Sequence, residues 1–230
     1  MKKEFHIRKD GTLWRYTGPG GTVTIPGEVK SIKESLFANR PDLEQVIISE
    51  GVERIEDLAF NNCSNLKSVY ISDSVTSIGC GAFYGCQTLI TVDLPTGLKE
   101  IPYSLFSDCR ALKEVVVPNH VEQIEGRAFS NCFSLERIVI PASVRSIGHL
   151  AFFKCESIKE LTMKEGVEII NVGAFAGCTN IERLVIPKSV RLINSFAFAT
   201  CKSLKDLIIM DKEKTMIKGA AFTGCDKLNP

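Results

Sequence analysis

Ala82-Phe83-Tyr84-Gly85-Cys86-Gln87-Thr88-Leu89 is a phrase that the chain repeats almost from end to end. Phe83 stands 23 residues after Phe60 and 23 before Phe106. The same interval links Phe37, Phe129, Phe152, Phe175 and Phe198, and Phe222 follows after 24. Three residues after each of the last eight stands a cysteine, from Cys63 and Cys86 to Cys201 and Cys225. Six residues after every one stands Leu or Ile, from Leu43 to Leu228. Self-similarity at a fixed period is the mark of stacked repeats, and chance does not hold a register over nine units.

Each unit can be read locally. In Leu112-Lys113-Glu114-Val115-Val116-Val117-Pro118 the alternation of Val115 and Val117 with their neighbours predicts a short strand with one buried face. Pro118 ends it, as Pro95, Pro141 and Pro187 do in other units, because proline has no N–H to donate to a ladder. A second apolar pair, such as Val121 and Ile124, leads into Ala128-Phe129 and one helical turn. Asn62, Gly85, Asp108, Asn131, Gly177 and Gly224 precede their cysteines, and Asn39 precedes Arg40. These types tolerate the positive φ that ends a helical turn.

The aliphatic pattern L-x-x-L-x-L and the phrase A-F-x-x-C-x-x-L resemble the BspA-like class of leucine-rich repeats, over essentially residues 22–230. The resemblance implies a right-handed solenoid, mostly β with short helical turns, whose parallel sheet lines the concave face. One unit alone cannot bury its apolar side chains, whereas stacking sets strands ~4.8 Å apart over a continuous core. Members of that family are mostly bacterial or protist proteins, often displayed on surfaces and implicated in adhesion.

Residues 1–27 form the expected cap and first strand, and residues 28–230 the repeats. Phe5–Tyr16 with Asp10-Gly11 at its centre predicts a hairpin. Trp14 stands 23 before Phe37 and is placed to fill the phenylalanine slot of the cap. No strand is expected after Phe222, and no polar C-terminal cap is evident.

Charge and composition narrow the function. Lys and Arg number 28 against 27 Asp and Glu, a balance that gives no general attraction to polyanions, so neither nucleic acid nor membrane insertion is expected. No apolar segment follows the basic start Met1-Lys2-Lys3, so no signal peptide is read. The sequence points to the cytoplasm, and the family resemblance to a cell-surface or secreted location. Eight of the nine cysteines share one repeat position, the pattern of buried thiols packing as small hydrophobes rather than of disulfides or zinc ligands. Cys80 lies outside that ladder, either as a plain surface cysteine or as a reactive thiol. His6, His120 and His149 accompany no shared nucleophile or carboxylate pair, and Gly18-Pro19-Gly20-Gly21 opens no helix. Asn62-Cys63-Ser64 matches a glycosylation sequon but falls on the ladder. No cofactor, metal or catalysis is expected.

The exposed strand positions carry what remains. Seven and eight residues after each phenylalanine, charges alternate in sign from Lys113 and Glu114 onward, which predicts a self-neutralised face. Ten residues after it stand Ile47, Tyr70, Asp93, Val116, Val139, Thr162, Val185 and Ile208. Either β-branched residues simply favour strands, or Ile47, Tyr70, Val116, Val139, Thr162, Val185 and Ile208 form a partner-binding stripe. The expectation is a non-catalytic interaction or adhesion module for a protein or surface glycan. Self-association through the C-terminal end or the stripe is the alternative.

Overall fold

The computed structural model describes residues 4–228; the first three residues of the expected cap and the last two of the final repeat lie outside them. The chain is a β-solenoid of about nine coils, here numbered by their phenylalanines from Phe37 (one) to Phe222 (nine). Alternating apolar residues nine and eleven after the phenylalanines make the wide strands of most coils, such as Arg137–Ile140, whose Ile138 and Ile140 point inward. Pairing is parallel and in step with the repeat: Ile138 lies beside Leu161, and Val139 beside Thr162.

A second parallel sheet, not expected from the sequence, runs beside the first. Its strands are two residues long, as in Gln123–Ile124, Ser146–Ile147 and Ile169–Ile170, with the second residue buried. Strands this short need many neighbours, and repetition supplies them.

The third side is a row of turns around the phenylalanines. No helix forms among the described residues; the helical turn resolves into separate i→i−3 turns. The N–H of Tyr84 bonds back to Gly81, and that of Cys86 back to Phe83. Between them the N–H groups of Gly81, Phe83 and Gly85 point up the stack to Tyr103, Leu105 and Ser107. Every coil carries two left-handed residues in this row. One precedes the cysteine position, as foreseen, and includes even Lys154 (φ 55°) and Thr200 (φ 57°). The other, unforeseen, lies two before the phenylalanine, as at Leu58, Arg127 and Phe196. For non-glycine residues this conformation costs about 1 kcal/mol each, offset here by a bond such as Thr200 N–H to Thr223 at 2.7 Å.

The core is a set of ladders. Phe37 to Phe198 are fully buried, with successive ring centroids 5.0–5.8 Å apart. At the N-terminal end Phe5–Ile7 and Thr12–Tyr16 form the hairpin, with Gly11 at φ 83° in its turn. Trp14 does not fill the phenylalanine slot; it is 40% exposed, and the ring set against Phe37, at 5.3 Å, is that of Tyr16. Trp14 points away from the core beside the inward Leu13, and it is the partly buried Tyr16, at the end of the strand, whose ring meets Phe37.

Candidate functional site

The wide sheet carries the candidate surface. Its inward residues are held by the core, so the residue between them is forced outward. Val139 is 41% exposed beside Ile138 at 1%, and Tyr70, Val185 and Ile208 are exposed in the same way. Thr162 is also exposed, whereas Ile47 is half-buried. They fall in one column of the repeat, laddered from Ile47 through Tyr70 to Asp93, from Val139 to Thr162 and from Val185 to Ile208. The ladder is interrupted at Val116 and between Thr162 and Val185.

The flanking columns neutralise themselves. Lys67 Nζ lies 2.9 Å from Glu44, and Lys205 Nζ 2.8 Å from Glu182. Arg137 sits between Glu114 at 4.0 Å and Glu160 at 3.8 Å. All are solvated, so each pair contributes at most about 1 kcal/mol. Among them lies a shallow depression of about 380 Å³ with alternating charge on its walls.

Two discontinuities interrupt the regular stack around coil four. Val115, Val116 and Val117 make no backbone ladder bond to either neighbour, although Val115 and Val117 remain buried and Thr91 still bridges to Glu114. Val116 is consequently 74% exposed. A cleft of about 360 Å³ opens on one side of it, against Val92, Asp93 and His120, and one of about 280 Å³ on the other, against Arg137, Val139 and Lys164. On the short sheet the break falls between Ser77–Ile78 and Glu100–Ile101. There Pro102 occupies a position from which Gly79, Glu125 and Gly148 each donate an N–H to the preceding coil. Proline has none to give. The phenylalanine ladder marks the same place, with its longest step, 5.8 Å, at Phe83–Phe106 and its largest tilt, 23°, at Phe106–Phe129.

The ladder cysteines are buried free thiols, each donating to a phenylalanine carbonyl of the previous coil, as Cys132 does to Phe106 at 3.2 Å. Cys80 is exposed; partial burial, and then the carboxylate of Asp57, push its thiol up and so disfavour the thiolate. His120 Nδ1 lies 3.3 Å from the carbonyl of Thr96, and His149 Nδ1 2.9 Å from that of Val172. Asn62 sits beside Asn39 on the turn row. Among the described residues no group of His, Cys, Asp or Glu converges on a metal-sized site, and no helix is long and apolar enough to cross a membrane.

The sequence matches the BspA type Leucine rich repeat region over residues 16–136 and 123–229, in six copies. The chain belongs to this family. Known structures share the fold of this leucine-rich-repeat chain. A leucine-rich repeat protein from Eubacterium ventriosum superposes with a TM-score of 0.61 at 29% identity, over 84% of this chain and 46% of that one. The present chain therefore spans less than half of that protein. The T. pallidum leucine-rich repeat protein gives 0.63 at 27% identity, over 100% of this chain and 90% of its own. The pneumococcal vaccine antigen PcpA gives 0.58 at 18% identity, over 89% of this chain and 55% of that one, a likeness of fold alone. No curated protein sequence is similar enough to count as a relative.

Proposed function

We propose that this leucine-rich repeat chain is a non-catalytic interaction module that binds a protein through its wide sheet. The observation that carries this reading is the column of apolar side chains held outward beside two charged columns that cancel one another. Apolar atoms at the centre of a contact, with polar atoms around them, are the composition of protein interfaces. Val116 is the centre of the proposed contact, because clefts flank it on both sides and can seat side chains of a partner. Ile47, Tyr70, Val139, Thr162, Val185 and Ile208 extend the contact along the stack.

A photo-crosslinking residue at Val139 or Val185, used in extracts of the source organism, tests this reading. Capture of one protein, abolished by Val116→Glu and retained when a charge is placed on the turn row, supports it. Capture that is indifferent to Val116→Glu removes the wide sheet from consideration.

A further inference from the structure

The face bearing the two-residue strands changes character along the stack. Six residues before the phenylalanine, at the outward position of these strands, Ser77, Glu100, Gln123 and Ser146 give way to Ile169, Leu192 and Met216. Beside them Val172 is exposed, Phe196 is 49% exposed and Met216 57%. Together they present on the order of 400 Å² of apolar surface, the size of the largest patch on a typical monomer, which is often functional. Coils one to four hold instead, at the edge where this face meets the row of turns, a cleft of about 210 Å³ lined by Leu58, Gly81, Tyr84 and Tyr103. Asp57 lines it, and Glu100 and Glu125 act on its Cys80.

We propose that this face binds a second copy of the chain, antiparallel, about a two-fold axis lying in the face and crossing the stack between coils five and six. Such an axis reverses the order of the coils while each column stays opposite itself. Coil two then meets coil nine, three meets eight, four meets seven, and five meets six. Two residues before the phenylalanine, Gly81 leaves a gap in its column, and the residue brought opposite is Phe196, the bulkiest member of that column. Three before it, Tyr103 meets Val172. Four before it, Glu56 meets Lys218.

Seven before it, Glu122 meets Arg145 and Lys99 meets Glu168, so opposite charges face each other there as well. Arg54 lays its aliphatic stem against Met216. Glu100 opposite Ile169 is a mismatch, and Glu100 is exposed enough to turn its carboxylate to solvent.

The register is specific. A shift of one coil in one direction sets Lys99 against Arg145 and Glu122 against its own copy. A shift in the other sets Lys99 against Arg191 and Glu122 against Glu168. Like charges brought together oppose association. The carboxylates around the cleft also disfavour an anionic lipid surface as the occupant. The contact leaves the wide sheet free and stands independently of the function proposed for it.

Sedimentation of the full chain over a range of concentrations, with light scattering, tests the pairing. The expected mass at high concentration is twice 25.4 kDa. Phe196→Glu should weaken association by at least about tenfold. Glu56→Lys and Lys218→Glu should each weaken it, and the two together should restore it. Ser195 lies in the column of Cys80 and, in the pair, opposite it. Mild oxidation of the Ser195→Cys variant should therefore link Cys80 of one copy to position 195 of the other, whether or not the charged variants fold. A chain of monomer mass at every concentration overturns the proposal. So does a dimer indifferent to Phe196→Glu, or one whose linkage maps elsewhere.

Discussion

The thiol of Cys132 donates to the carbonyl oxygen of Phe106 across the boundary between two coils, at 3.2 Å. The same oxygen accepts the peptide N–H of Cys109 at 3.1 Å. A carbonyl buried in the core thus uses both lone pairs, one within its coil and one between coils. Cysteine suits the position because it packs as a small hydrophobe while carrying one weak donor. Cys132→Val keeps the bulk and deletes the donor, and should cost about 1 kcal/mol in a urea titration. In the native chain a thiol reagent should label Cys80 first, and the ladder thiols only in denaturant. Rapid labelling of Cys132 without denaturant would contradict its burial.

The same burial gives stability a dependence on pH. Removal from water pushes the thiols of Cys109, Cys132, Cys155 and Cys178 well above their ordinary range. Unfolded thiols ionise near pH ~8.5, whereas these stay protonated. Above that point the unfolded state binds fewer protons than the folded one, so stability falls as pH rises. Each such thiol contributes a slope of about 1.4 kcal/mol per pH unit. Stability should be level below pH ~8.5 and decline from there towards pH ~10. Denaturant midpoints measured across that window check the slope, and Cys132→Ala should make it shallower.

Phe129 stacks between Phe106 at 5.6 Å and Phe152 at 5.0 Å and is fully buried. Phe129→Ala should cost about 3–5 kcal/mol through lost burial and a cavity. Because each coil is stabilised by its neighbours, the loss should also broaden the unfolding transition. A cost below about 1 kcal/mol, the scale of a mild substitution, is incompatible with this packing.

Val139 and Ile138 offer a paired test of orientation. A lysine at position 139 remains solvated, so Val139→Lys should change stability by less than about 0.5 kcal/mol. A lysine at position 138 would be a buried charge without a partner, and Ile138→Lys should unfold the surrounding coils. Circular dichroism during thermal melting separates the two outcomes, and equal damage from both would mean that the wide face is covered.

Val115 and Val117 lack the ladder bonds to the next coil that their equivalents Ile138 and Ile140 form. Their amides should exchange with deuterium at least about tenfold faster than those of the equivalents. Equal protection across both segments would show that the wide sheet is closed at coil four in solution.

The sequence by itself determined the period, the ladders and the direction in which the strand side chains point. Burial in a solenoid follows from a pattern repeated within each unit, so Phe129, Cys132, Leu135 and Ile138 could be placed inside without knowing what they touch. It also marked the outward column from Ile47 to Ile208, because alternation along a strand is local. Tertiary structure alone decided how well one coil bonds to the next. That depends on backbone groups 23 residues apart meeting in space, and the pattern at Val115–Val117 reads the same as at Ile138–Ile140 although only the second is paired. Pro102 was a visible signal, but it gains meaning only once its column is known to donate N–H groups across a second sheet. Tyr16 rather than Trp14 closes the phenylalanine ladder for a related reason: spacing counts residues, whereas stacking depends on where the end of the hairpin strand meets the first coil, which is fixed only in three dimensions.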